Sequence, residues 1–356
     1  MIQTSQIFAY ENLSIEDIAA WRGLQAADPS LHSPYFSPDY VAAVAQVRKG
    51  VDVLRISQAE APIGYLPFRR DWLGTGRPIA GPMDDIHGVI TASDTRLSLT
   101  NLMSNLKAYS FSAVPFTQRR HGLCGAGGDG NQVIDLSRGY QAWFDQRSTY
   151  SSAFRREARK VQTLLDRPGT QIAHDVVDPA AFSRLLRLKQ TALNAAGHFN
   201  IFQLDWPQTL LETLQSRREA PTRGLLSTLH LEGKPAAYAY CMRSEQVLHY
   251  WFPAYEAEFA SLKPGLALLF SLAKWASLQG MRELHLGLGD AQYKRHMASW
   301  MAPVRRGTLA VGLGQRLATH SSAWFEMLEG HNRFMDLPAK YVRKYQRAML
   351  AGTPRA

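Results

Sequence analysis

Three stretches of the chain hold residues whose types and spacing could do chemistry. Lys263-Pro264-Gly265-Leu266-Ala267 follows the strand-like run Val247 to Phe252 and opens a long apolar segment that ends near Gly280. Proline suits the first turn of a helix, where its missing N–H has no partner to lose. The free N–H groups and the positive dipole end of such a turn attract anions, so this is a candidate phosphate site. Downstream, Asp290 precedes a second helix start that carries Tyr293 and Lys294. Asp290 could orient an acceptor, act as a base, or cap the helix. Asp84, Asp85 and His87 form the tightest polar cluster of the first half. Two carboxylates and an imidazole can bind a metal or act as acid and base. An Asp-Asp pair after Pro82 also turns and caps backbone, which is the plainer reading.

Other polar residues carry weaker signals. Lys189 stands among Leu186, Leu188 and Leu193, and a loop with His198, Asn200 and Trp206 follows it. His249, Glu283 and His285 lie on strand-like segments and read first as structural residues that could serve as bases. Cys124 and Cys241 are too few for a disulfide framework or a cysteine-rich metal site, and both read as inert. The glycine-dense His121–Gly130 reads as a loop of tight turns.

The elements that must position these groups follow from periodicity. Ile15 to Ala27 and Ser37 to Gln46 read as helices, and Val51 to Ile56 with Ile63 to Phe68 as a hairpin turning between Gln58 and Pro62. A helix near Leu97 to Ala108 and a strand from Tyr109 to Val114 complete the first half. Tyr150 to Leu165 reads as a helix bridging the halves, with Phe154, Ala158, Val161 and Leu165 on one face and Arg155, Arg156, Arg159 and Lys160 on the other. In the second half, a helix spans Leu185 to Ala196. Leu225 to Leu231 pairs with Ala236 to Met242 across Glu232-Gly233-Lys234-Pro235. Met281 to Gly289 alternates Leu284, Leu286 and Leu288 against Glu283, His285 and Gly287, the pattern of a half-buried strand. Lys340, Arg343, Lys344 and Arg347 beside Tyr341 and Tyr345 read as a basic amphipathic helix that docks on the protein or meets an acidic membrane surface.

Composition is that of an ordinary folded protein, with 356 residues, 46% hydrophobic and 20% charged. No apolar run reaches the roughly 20 residues of a membrane span, and the first residues lack the pattern of a secretory leader, so a cytoplasmic location is expected. The net charge of +10 is uneven. Residues 1–140 hold 12 Lys and Arg against 13 Asp and Glu, whereas residues 141–356 hold 28 against 17. A basic second half favours an anionic ligand: coenzyme A, a nucleotide-linked sugar, RNA or an acidic lipid surface.

Several of these pieces, in order, resemble GNAT-type acyltransferases of the FemAB-like branch, in particular the CelD/BcsL group linked to cellulose and exopolysaccharide synthesis. They are Leu188-Lys189-Gln190, Phe202 with Asp205-Trp206, Trp251-Phe252-Pro253-Ala254-Tyr255, Lys263-Pro264-Gly265, and Gly287-Leu288-Gly289-Asp290 with Tyr293-Lys294. The resemblance spans roughly residues 150 to 300, and more loosely the chain from about residue 30. It implies an α/β fold of two tandem GNAT-like halves with mixed central sheets. The expected organisation is an N-terminal half over 1–140, a linking helix over 141–170, a catalytic half over 171–312 and a basic helical tail over 313–356.

The resemblance also implies roles. Lys263, Pro264, Gly265, Leu266 and Ala267 would bind the pyrophosphate of acetyl-CoA or another acyl-CoA, although Leu262 stands where the family pattern has Arg or Gln. Tyr293 would be the acid for the leaving thiolate, with Asp290 and Lys294 beside it. Lys189, Asp84, His87, His198, Trp206 and Tyr255 would line the acceptor site. No metal is expected. The implied reaction is direct transfer of an acyl group, acetyl for preference, to an amine or hydroxyl of a small-molecule or saccharide acceptor in exopolysaccharide or envelope metabolism. Three alternatives stay open: an aminoacyl-tRNA-dependent ligase, a non-catalytic binding module of the same fold, and a membrane-surface accessory of a polysaccharide synthase.

Overall fold

The computed structural model describes residues 2–71, 74–103, 106–197 and 199–310. The chain divides into two compact units, with residues 32–34 and 129–302 forming the second.

In the first unit, β1 (Gln3–Ala9) leads into α1 (Ile15–Ala27), whose Ser14 hydroxyl accepts the Asp17 N–H, and α2 (Pro38–Val47), capped in the same way by Ser37 on Asp39. Trp21 is fully buried, and its indole N–H donates to the Phe36 carbonyl at 2.8 Å. Strands β2 (Val51–Gln58) and β3 (Ala61–Arg70) form the expected hairpin. Its two-residue turn places Ala59 and Glu60 at φ 48° and 67°, the paired left-handed conformation that matches strand twist. The unit continues through β4 (Thr75–Arg77), β5 (Ile90–Thr91), the four-residue α3 (Leu99–Leu102) and β6 (Ala108–Pro115). Among the described residues of the helix expected over Leu97 to Ala108, only Leu99–Leu102 are helical. Leu97, Leu99, Leu102, Met103 and Leu106 all fill the core under this sheet, so their apolar spacing records burial of a winding segment rather than a helical stripe.

In the second unit, β7 (Ala126–Asp135) is followed by α4 (Tyr140–Tyr150) and α5 (Ser152–Leu165). The helix expected to begin at Tyr150 is interrupted at Ser151, whose hydroxyl caps α5 by accepting the Phe154 N–H. Then come β8 (Thr170–Val176), α6 (Pro179–Ala195), α7 (Asp205–Ser216), β9 (Arg223–Leu231), β10 (Lys234–Arg243), β11 (Val247–Tyr255), α8 (Pro264–Leu278), β12 (Glu283–His285) and α9 (Gln292–Met297). The sheet order in this unit is β7-β12-β11-β10-β9-β8. The last strand, β13 (Trp300–Ala310), pairs antiparallel with β6 in the first unit from Val304 onward.

Two expectations about strands are corrected. The second half of the glycine run read as a loop belongs to strand β7, which begins at Ala126. A Cβ on Gly125 would sit 2.1 Å from the Arg306 carbonyl oxygen, and one on Gly130 2.4 Å from Met301 Cγ, so these glycines permit close backbone approach. The alternating run from Met281 to Gly289 forms only three residues of strand, and both faces are buried, with Leu284 and His285 at 0% and 6% exposure. Gly287 and Gly289 turn the chain away with φ of 75° and 97°, ending the extended conformation.

The core of the second unit lies between this sheet and α5 and α8. Phe154, Ala158 and Val161 pack with Leu268, Leu272 and Ala276 against Leu225, Leu248 and Leu284. Phe154 stacks on Phe270 at 5.5 Å between ring centres, and Trp143 meets Phe154 edge-on. Among the described residues no helix is long and apolar enough to cross a membrane, and no cluster of His, Cys, Asp or Glu could hold a metal ion. The basic helix expected around Lys340 to Arg347 lies outside the described residues.

Candidate active site

The second unit carries a cleft of about 480 Å³ where the sheet opens. Strand β11 is paired in parallel with β12 only at Val247, Leu248 and His249. It then runs six residues further, and from that stretch Tyr250, Pro253 and Tyr255 line the cleft. The divergence follows from the two glycines that stop β12. The start of α8 supplies Lys263, Pro264, Gly265 and Leu266, α5 supplies Phe154 and Glu157, and α9 supplies Gln292, Tyr293, His296 and Met297.

Local sequence explains each wall. Lys263 adopts the left-handed conformation (φ 54°, ψ 48°), and its carbonyl accepts the N–H groups of Leu266 and Ala267 at 3.0 and 3.2 Å. Because Pro264 has no N–H, the first amide donor of α8 is that of Gly265, at the cleft wall. The lone Gly265 Cα leaves room there, since an added Cβ would meet only Tyr255 Cδ1, at 3.6 Å. The short α9 is held from behind. The Trp143 indole donates to the Met297 carbonyl at 3.0 Å, and the Arg147 guanidinium donates to the His296 carbonyl at 2.8 Å.

Two phenols face this space. Burial pushes the Tyr293 pKa up to about 12, and burial followed by the nearby Tyr293 holds Tyr250 well above the ordinary tyrosine value. Both are therefore neutral hydroxyl donors at physiological pH. The Tyr250 hydroxyl donates to the Gly265 carbonyl at 3.4 Å. At the start of α8, the Lys263 ammonium pairs with the Glu157 carboxylate of α5 at 2.6 Å.

The residues picked from sequence separate into groups. Lys263, Pro264, Gly265, Leu266, Tyr293 and Tyr255 share the cleft, whereas Ala267 is fully buried in the core behind it. Lys294 turns aside to donate to the Leu288 carbonyl at 2.5 Å, and the exposed Asp290 pairs with Arg295. Neither lines the cleft, and the cap residue of α9 is Ala291, not Asp290. Lys189 is half-buried on α6, its amine pushed down by burial and then by the charge of Lys294. Trp206 is half-buried at the start of α7. His198 lies outside the described residues.

Asp84 and His87 belong to the first unit, and both are locked into its framework. Asp84 accepts the Tyr40 hydroxyl at 2.6 Å and the Ala80 N–H at 2.7 Å. Nε2 of His87 accepts the N–H groups of Ser112 and Ala113 at 3.1 and 3.2 Å. That leaves the proton on Nδ1, which donates to the Tyr109 hydroxyl at 3.2 Å, and burial pushes the imidazole pKa down to about 3. The first unit has its own cleft, of about 320 Å³, walled by Arg48, Arg69, Arg70 and Arg77 with the Ser110 and Ser112 backbone strand. Sequence reasoning passed over these arginines, which are scattered over thirty positions, and also Glu157, Tyr250, Gln292, His296 and Met297. Glu157 had one visible signal: it is the single acid in the run Arg155 to Lys160.

Residues 151–295 match the acetyltransferase (GNAT) domain family, a span that holds the cleft's lining residues from Phe154 to Tyr293 but not His296 and Met297. The chain is similar in fold to three solved structures across most of its length. One is FemX, at 10% identity and TM-score 0.59, covering 88% of this chain and 99% of FemX. Another is a tandem GNAT protein from the clavulanic acid biosynthesis pathway, at 11% identity and TM-score 0.51, covering 87% and 99%. The third is the C-terminal domain (DUF2156) of a protein described as a lysylphosphatidylglycerol synthetase, from Agrobacterium fabrum, at 13% identity and TM-score 0.51, covering 86% and 96%. No curated protein matches the chain. The fold is thus a mixed α/β one of the tandem GNAT kind.

Proposed function

We propose that the protein is an acyltransferase that takes an acyl group, acetyl for preference, from coenzyme A and passes it directly to an amine or hydroxyl. The observation that carries this reading is the cleft itself. It joins the N-terminus of a fifteen-residue helix to a neutral phenol across a gap in the sheet. The amide of Gly265 and the dipole of α8 suit the donor's pyrophosphate. The apolar faces of Pro253, Leu266, Leu269 and Met297 suit the uncharged arm that links it to the thioester. The acceptor's lone pair attacks the thioester carbonyl, the C–S bond breaks, and the sulfur departs as thiolate. The Tyr293 hydroxyl stabilises that sulfur by hydrogen bonding and passes it a proton, which the phenolate at once regains from solvent as the acceptor's proton is released to solvent. No covalent enzyme intermediate is needed.

The pieces that resemble the CelD/BcsL group favour a small-molecule or saccharide acceptor of envelope or exopolysaccharide metabolism. The donor reading is tested by calorimetric titration of acetyl-CoA into the wild type and Gly265→Asp. Micromolar binding that the new carboxylate abolishes is the expected result. Absence of binding in the wild type would remove coenzyme A as donor.

A further inference from the structure

We propose that the Glu157 carboxylate is an internal competitor for the donor's anionic group: in the resting cleft it occupies Lys263, and it must release that ammonium when the donor binds. This rests on the donor reading above and adds a residue that sets donor affinity.

Glu157 and Lys263 come from different walls, α5 and the residue before α8, yet their charged ends meet at 2.6 Å within the cleft. Glu157 is the only acid among the cleft's described lining residues. Its carboxylate is held below the ordinary range by the hydrogen bond from Lys263, and the charges of Lys263, Lys160 and His296 all act on it. One carboxylate thus stands near Lys263 and Lys160 beside the amino end of a long helix. A phosphate oxygen would make the same charge-assisted contact with the ammonium. Both partners reach solvent, with 24% of the Glu157 side chain and 47% of the Lys263 side chain exposed, so exchange needs no unfolding. The pair also explains an acid inside the otherwise basic run Arg155-Arg156-Glu157-Ala158-Arg159-Lys160. A mere surface pair would not require that acid to face the cleft. The consequence is selection by charge: a ligand that offers one weak anion does not displace Glu157, whereas a pyrophosphate does.

The test is a double-mutant cycle read by acetyl-CoA titration on the full chain: wild type, Glu157→Gln, Lys263→Gln and the double variant. Glu157→Gln should bind acetyl-CoA about threefold to fivefold more tightly, the range an exposed ion pair supports. Lys263→Gln should bind more weakly, and adding Glu157→Gln to it should restore little. Equal tightening in both backgrounds would overturn the competition and leave only general repulsion by Glu157. Unchanged affinity of Glu157→Gln, with the wild type still binding, would overturn the proposal alone. Failure of all four proteins to bind would overturn the donor reading and this proposal together.

Discussion

Tyr293 and Asp84 were both picked out for their chemistry, and their surroundings send them opposite ways. Tyr293 is reached by solvent through the cleft and keeps its proton, its pKa pushed up to about 12 by burial. Replacing it by Phe should leave acetyl-CoA affinity within about twofold and lower turnover by about 10²-fold, a usual size for loss of one acid–base group. Release of free thiol from acetyl-CoA in the presence of an acceptor measures both. Asp84 is enclosed, and burial raises its pKa from 3.8 to about 7 despite the hydrogen bonds from Tyr40 and Ala80. The folded form therefore holds a proton that the unfolded chain gives up, and stability falls as pH rises from about 4 through 7. Tyr40→Phe removes a donor that matters most to the charged carboxylate. The expected cost is about 2 kcal/mol at pH 8 and about 1 kcal/mol at pH 5. Urea unfolding at the two pH values is the check, and equal losses would mean that Asp84 does not titrate there. Residue type alone marked both groups. Whether each met solvent or an enclosing set of backbone and side-chain donors was settled by tertiary contacts, such as that of Tyr40 with Asp84, which no local pattern encodes.

At the scale of elements, the legible parts were those with a local cause. Serine caps fixed the starts of α1 and α2, and paired left-handed residues fixed the hairpin turns at Ala59-Glu60 and Glu232-Gly233. Pro264 fixed the start of α8. The illegible parts were those where glycine does one of two jobs. At Gly287 and Gly289 it turns the chain and so opens the cleft, while at Gly125 and Gly130 it admits a neighbour into an extended strand region. The same letter in the sequence stands for both. A pair of substitutions separates these roles from simple helix propensity. Gly125→Ala drives a Cβ against the Arg306 carbonyl, backbone against backbone, and should cost about 3 kcal/mol, at the upper end for overpacking. Gly23→Ala, in the middle of α1 with nothing within 4 Å of the new Cβ, should instead stabilise by about 0.5–1 kcal/mol. Denaturant midpoints of the two variants should therefore move in opposite directions. A neutral Gly125→Ala would show that this segment yields without strain.

For the molecule as a whole, the tandem organisation was legible because motif pieces keep their order along the chain even when boundaries do not: the compact division falls at residues 128/129 and 302/303. Charge was less informative than it looked. Residues 129–302, which hold the cleft, carry 20 Lys and Arg against 16 Asp and Glu, a modest excess compared with the +10 of the chain. Much of that local positive charge is already engaged, as where Arg223 and Arg218 share Asp175 and Arg184 forks onto Glu256. One contiguous basic set lies on the exposed face of α5, with Arg155, Arg156, Arg159 and Lys160, of which Arg155 also donates to the Ser148 and Thr149 carbonyls. Ionic strength distinguishes the two donors such a surface could serve. A small donor held by one ammonium and a helix terminus should lose about threefold to tenfold in affinity between 50 and 500 mM salt, because screening acts on few contacts. An aminoacyl-tRNA laid along the basic helix would lose about 10³-fold or more over the same range, through release of many counterions. Titrating acetyl-CoA and fluorescently labelled tRNA at both salt concentrations should give the shallow dependence for acetyl-CoA and only weak, salt-erased binding for RNA. Tight tRNA binding with a steep slope, alongside no measurable acetyl-CoA binding, would transfer the donor role to the aminoacyl-tRNA and leave the cleft of α8 to hold a phosphodiester next to its aminoacylated end.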